Sequence, residues 1–181
     1  MPSTTAHFIV GAALALSALE YRALNGVLRR WAIPVTAGLL AASPDLDLAG
    51  RRLFGITDSS LLSHRGLFHS PFFVIMFSAA LAASVAYQRF RQAFRGLWLL
   101  WGGCMLTHPL MDALTNGGRG VMLLLPFSRA RLFFPWQPIL TAPGMENLIS
   151  RAAFLRNSEI PFCVLAAAIG VAGLLARLEH R

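Results

Sequence analysis

The stretch SHRGLFHSPFFVIMFSAALAASVAY, residues 63–87, decides the fold. Two histidines and an arginine stand directly against a charge-free apolar run, Pro71 to Tyr87. A titrating group beside hydrocarbon is costly and is kept for a purpose. Ser70 suits an N-cap, and Pro71 suits the first helical position, where its missing N–H costs nothing. The helix therefore starts at Pro71, and His64 and His69 fall in the loop that enters it.

Working outward, four more apolar runs appear: about His7 to Tyr21, Trp31 to Ser43, Leu97 into the segment THPLMDALTNGG, and Ile160 to Leu178. The 181 residues are 56% hydrophobic and 13% charged, against roughly 25% charged in soluble domains. Apolar runs of about 18 residues or more read as membrane helices. The expectation is one all-α domain, residues 1–181: a multi-pass transmembrane bundle of about four to five spans. QRFRQAFRG reads as a basic turn. Between the last two spans, residues 119–159 read as an interfacial segment, with the Pro, Trp and Phe content of a membrane surface. Met145, Leu148, Ile149 and Ala152 are spaced for a short helix, either lying in the interface or covering the bundle as an ordinary surface helix. MPSTTAHF has no basic leader, so the first run is expected to stay as a helix. Cys104 and Cys163 lie in apolar runs and read as small core residues rather than a disulfide. All sixteen basic residues are arginine. They suit anionic headgroups or phosphates, so membrane lipid, and not nucleic acid, is the expected partner.

Folding the runs up and down across a bilayer sorts the titratable groups. His7 lies at the start of the first helix, and Asp45 and Asp47 at the end of the second. His64 and His69 precede the third, and His108 and Asp112 end the fourth. All seven fall at one end; His180 does not. Aspartates two apart in an extended segment point to the same side. His108 and Asp112, four apart, share a helix face, although Pro109 disfavours helix at His108. Counted from Leu97, His108 is only about 16 Å along its helix, short of a ~30 Å hydrocarbon core. Imidazole plus carboxylate without thiolate suits a divalent ion: zinc first, with manganese or iron also fitting. Seven donors exceed one tetrahedral ion and would suit two ions ~3.5–4 Å apart, the arrangement used in phosphoester hydrolysis.

These motifs carry a resemblance. AHFIVG, SPDLD, SHRGLFHS, THPLMDALTNGG and LLLPFS, spanning about residues 6–128, resemble the YdjM-like family of LexA-regulated inner-membrane metal-dependent hydrolases. Phe68 departs from it, standing where a small polar residue is expected. The resemblance implies a multi-pass protein of the bacterial inner membrane with Asp45, Asp47, His64, His69, His108 and Asp112 as metal-site residues and His7 matching the family's N-terminal histidine; the ligands expected here are His7, Asp47, His64, His69, His108 and Asp112. It leaves the substrate open.

The expected activity is metal-dependent hydrolysis of a phosphoester in a lipid or lipid-linked substrate, such as a phospholipid. One or two divalent ions would activate water. Asp45 would ligate or orient that water, and Arg65 would hold a phosphate oxygen. Thr115, Asn116, Gly117 and Gly118 would form a close turn beside the site. Two alternatives remain: a metal or proton transporter, and a non-catalytic module in which metal staples the helix ends. Arginines tie at eight on each side, but the loops opposite the site are the short ones. Short loops carry the positive-inside signal, which places the site on the outer, periplasmic side.

Overall fold

The computed structural model describes residues 2–17, 24, 28–57, 60–86, 91–140 and 159–179. They form α1 (Thr4–Ser17), α2 (Ala32–Ala42), α3 (Asp47–Phe54), α4 (Pro71–Ala86), α5 (Arg91–Ala113) and α6 (Glu159–Glu179). Short 3₁₀ turns at Ser43–Leu46 and Leu67–His69 join α2 to α3 and lead into α4. Among the described residues the only strand-like pairings are two isolated bridges, Thr115 with Ile139 and Val121 with Leu132. The fold is all-α.

α4 begins as its sequence dictates. Ser70 is extended, and its Oγ accepts the N–H of Phe73 at 3.1 Å, closing the cap ahead of Pro71. Three other elements differ from expectation. Arg91–Gly96 is the first turn and a half of α5 and not a loop. Its residues are mostly good helix formers, and Phe94 stacks on Trp98 one turn later, with ring centroids 5.8 Å apart. Pro109 does not end α5, which continues to Ala113. Burial of His108, and its Nδ1 at 2.7 Å from the Ala41 carbonyl, hold that turn against the local preference. His108 therefore stands about 26 Å along its helix, not 16 Å. SPDL, finally, is a 3₁₀ turn and not an extended segment.

α1 packs between α2 and α6, and α5 packs against α4, α2 and α1. The contacts are made by small residues. Ala15, Ala37, Ala41, Ala82 and Cys104 are fully buried, with Ile33, Leu97 and Trp101 filling the gaps. Gly11 shows how close α1 and α2 come: a Cβ there would lie 2.3 Å from the Ala41 Cβ. The described part of the segment after α5, up to residue 140, covers the site end as a strap. Val121 and Leu132 exchange backbone hydrogen bonds, and the Met122 and Phe134 N–H groups donate to the carbonyls of Arg65 and Ala113. The interfacial helix expected near 145–152, and His180, lie outside the described residues.

Among the described residues no helix is long and apolar enough to cross a membrane. α1, α2 and α4 have 14, 11 and 16 residues. α5 has 23 but carries Arg91, Arg95, His108 and Asp112, and the side chains of α6 are described over 160–176.

Gly11→Leu should force α1 and α2 apart and cost about 1–3 kcal/mol. Gly103→Leu is the control, because nothing lies within 4 Å of a Cβ built there. The thermal midpoint in detergent should fall only for Gly11→Leu; equal midpoints would contradict the close contact.

Candidate metal centre

The loop before α4 sets the site. Its backbone bonds to itself: Gly66 N–H to Ser63 O at 2.8 Å, Leu67 N–H to Leu61 O at 2.7 Å, and His69 N–H to Gly66 O at 3.1 Å. A Cβ on Gly66 would come within 2.3 Å of the Leu61 carbonyl, so only glycine fits. Arg65 adopts φ 62°, a left-handed conformation uncommon for a residue with a side chain. That conformation turns its guanidinium into the protein while His64 and His69 face the ends of α2 and α5.

The structure brings His7, Asp45, Asp47, His64, His69, His108 and Asp112 together. His69 is central. Its Nε2 lies 3.7 Å from Asp45 Oδ1 and 3.6 Å from Asp112 Oδ2, and its Nδ1 lies 3.3 Å from Asp47 Oδ2. The helical turn at residues 43–47 sends Asp45 and Asp47 to different flanks. Asp45 faces His69 and His108, the latter at 3.4 Å, while Asp47 faces His64 and His69. His108 and Asp112 share a helix face as their spacing requires, 3.9 Å apart. His7 stacks on His108 with ring centroids 3.6 Å apart.

Most of these separations exceed a good hydrogen bond. Among the described residues, both ring nitrogens of His7 and of His69 are buried without a hydrogen-bond partner. So are His108 Nε2, Asp45 Oδ1, Asp47 Oδ2 and Asp112 Oδ2. Buried polar atoms are seldom left so. Three overlapping groups of donor atoms each lie within 4.8 Å: His7, Asp45 and His108; Asp45, His64 and His69; His69, His108 and Asp112.

Two of the histidines are held as metal ligands usually are, by a partner on the other ring nitrogen. The Ala41 carbonyl can only accept, so His108 Nδ1 carries the proton and Nε2 offers its lone pair. His64 Nδ1 lies 2.8 Å from Asp47 Oδ1. Asp45 is steadied by Thr4, whose hydroxyl donates to Oδ2 at 2.8 Å. Sequence reasoning missed Thr4; its position three residues before His7, on the same helix face, was the available signal.

Arg65 is fully buried. Nη2 donates to Asp112 Oδ1 at 2.9 Å and to Thr115 Oγ at 3.3 Å. Nη1 donates to the carbonyls of Gly117, at 2.9 Å, and Arg119. Both terminal nitrogens are thus committed to the protein, and the turn from Thr115 to Gly118 serves to receive them. Arg131 ties the strap to the same loop, donating to His64 O and Ser63 Oγ.

The electrostatics fit a cation. Burial alone would push the Asp45 carboxyl up; its interactions with His108 and His69 overcome this and hold it well below the usual carboxylate range. Asp47 is likewise lowered against burial, by His64 and His69. Burial would lower His69, but Asp45, Asp47 and Asp112 together push it up to about 9. The cluster thus attracts positive charge, and a metal ion bound there would displace any proton from the ligating nitrogen.

The family described as YdjM inner membrane protein matches the chain over residues 1–180. The inner membrane protein YbcI of Escherichia coli (strain K12) is 36% identical over 105 residues, covering 58% of this chain. The chain spans 60% of the length of that relative. No solved structure matches.

Removing one partner of a buried ion pair leaves the other uncompensated, at about 3–5 kcal/mol. Arg65→Ala should cost that much, and adding Asp112→Asn should recover part of it. Unfolding of the two single variants and the double variant measures this; strict additivity would show that the pair is not coupled.

Proposed function

Given that the chain belongs to the YdjM inner membrane protein family, we propose that it is a multi-pass membrane hydrolase. In this reading it uses a divalent metal to cleave a phosphoester of a lipid or lipid-linked substrate. The observation that carries it is the convergence of buried imidazole and carboxylate atoms without hydrogen-bond partners.

His7, Asp47, His64, His69, His108 and Asp112 would hold the metal. The donor set suits zinc first, then manganese or iron. The three groups overlap at Asp45, His69 and His108, which fits one ion or a close pair. Such an ion supplies Lewis acidity and lowers the pKa of water. The chain does the rest. Asp45, which belongs to two of the three donor groups and is fixed by Thr4, would ligate the ion or orient the attacking water. His64 is the open edge: its side chain is 12% exposed, against 0–1% for His7, His69 and His108. The scissile phosphate would enter there. Arg65 acts as a positioning residue for Asp112, because its terminal nitrogens are already occupied.

Embedding in the bilayer is supported by the outer surface. Leu14, Leu39, Met76, Leu99, Leu165 and Ile169 are exposed large apolar residues on five different helices. Helices that are apolar on all sides belong inside a large protein or in lipid. The arginines in the short connections and at the helix ends opposite the site, Arg91 and Arg95 of α5 among them, favour a periplasmic site.

Purified protein should carry one or two equivalents of zinc, manganese or iron by elemental analysis. His69→Ala and His108→Ala should lose both the metal and phosphoester hydrolysis. Full metal content without turnover on lipid phosphoesters would favour the stapled-module reading; no metal, even after re-addition, would end both. For orientation, a lone cysteine at Thr57 in a cysteine-free background should react with an impermeant reagent in intact cells. Protection would place the site in the cytoplasm.

A further inference from the structure

An apolar cavity of about 350 Å³ lies beside the metal centre, between α3, α4, the loop before α4, and α5. It is within the about 300–1,000 Å³ range of ligand sites, at the small end. Its lining is almost wholly aromatic and aliphatic. Phe68, Phe73 and Phe77 form one continuous wall: Phe68 meets Phe73 edge-on with centroids 5.0 Å apart, and Phe73 stacks on Phe77 at 5.6 Å. Met105 and Phe54 add to it.

Two features say what fits there. The cavity shares Asp47 with the metal centre, and Phe68 directly precedes His69, so its polar end is the site itself. Its other lining residues reach the apolar surface: Leu46, Phe54 and Phe77 are 71%, 79% and 41% exposed. A chamber open to an apolar surface at one side and, at the other, to a carboxylate and histidine cluster that would hold a divalent ion matches a molecule with a hydrocarbon chain and an anionic head that the ion attracts. We infer that this cavity is the subsite for one alkyl chain of the substrate, holding a lipid with its phosphate at the His64 edge of the metal centre. The inference rests on the hydrolase reading for the identity of the head group. The chain subsite itself rests on the cavity.

Gly50 offers a clean test. It lines the cavity from α3, and nothing lies within 4 Å of a Cβ built on it. Gly50→Phe therefore adds a ring at the cavity wall with no clash at its Cβ, and replacing glycine within a helix does not weaken the helix. The probe is dodecyl phosphate with a diazirine at mid-chain, photoactivated on the full-length protein in phospholipid nanodiscs, with labelled residues mapped by mass spectrometry. Label should concentrate on Phe68, Phe73, Phe77 and Met105, and should fall at least tenfold in Gly50→Phe while its metal content is kept. Label spread over the outer faces of α4 and α6, or unchanged in Gly50→Phe, would overturn the inference. The readout is label position in the protein itself, so absent hydrolysis would count against the enzymatic reading alone. Where turnover is present, kcat/KM should rise up to about fourfold per added CH₂ until the cavity is full. A flat profile would overturn the subsite.

Discussion

Three carboxylates are buried in a bundle of apolar helices, and the cost of burying them governs the rest of the structure. Desolvating one ion costs several kcal/mol even after relaxation, so each buried charge must find a partner. Asp112 finds Arg65, and the protein accepts a left-handed residue to deliver it. The strap after α5 exists in part to satisfy that arginine, whose Nη1 donates to the Gly117 and Arg119 carbonyls. Asp45 and Asp47 are met mainly by imidazoles instead. They face histidines, most of them at separations too long for good hydrogen bonds. A divalent ion would relieve the carboxylates and the unpartnered imidazoles together.

Helix packing and site geometry meet in Ala41. Its methyl group lies against Gly11, fixing the distance between α1 and α2. Its carbonyl accepts from His108 and sets which nitrogen of that ring faces the cluster. His7 can stack on His108 only because α1 approaches so closely. Small residues in the upper bundle therefore matter for the chemistry at its end: enlarging them would move ligands, not just loosen a core.

Much of this was legible in the sequence. The cap at Ser70 and Pro71, the helical spacing of His108 and Asp112, and the gathering of seven donors at one end follow from local rules and alternating helix direction. What escaped was set by tertiary context. Pro109 disfavours helix at His108, yet packing around His108 carries the helix through. Arg65 reads as a phosphate ligand because an arginine beside histidines usually meets anions; its burial depends on a backbone conformation and on carbonyls more than fifty residues away. The depth of His108 was misread because Arg91–Gly96 looks like a basic turn. The cavity could not be read at all, since its walls come from four separated stretches.

The distinction between a staple and a catalytic centre turns on asymmetry. A structural metal site is closed on every side by protein ligands, whereas a catalytic one keeps a position for water or substrate. Here the donors from α1 and α5 are sealed, while the loop edge at His64 reaches solvent. The same edge abuts an apolar chamber through Asp47. A staple has no use for such a chamber, and holding one open beside a charged cluster forgoes packing contacts that the bundle would otherwise make. In the proposed reading, a site buried on the helix sides and open at the loop edge, next to room for a hydrocarbon chain, would suit an enzyme that draws its substrate from the bilayer. It fits a metal whose only task is to hold helices together less well.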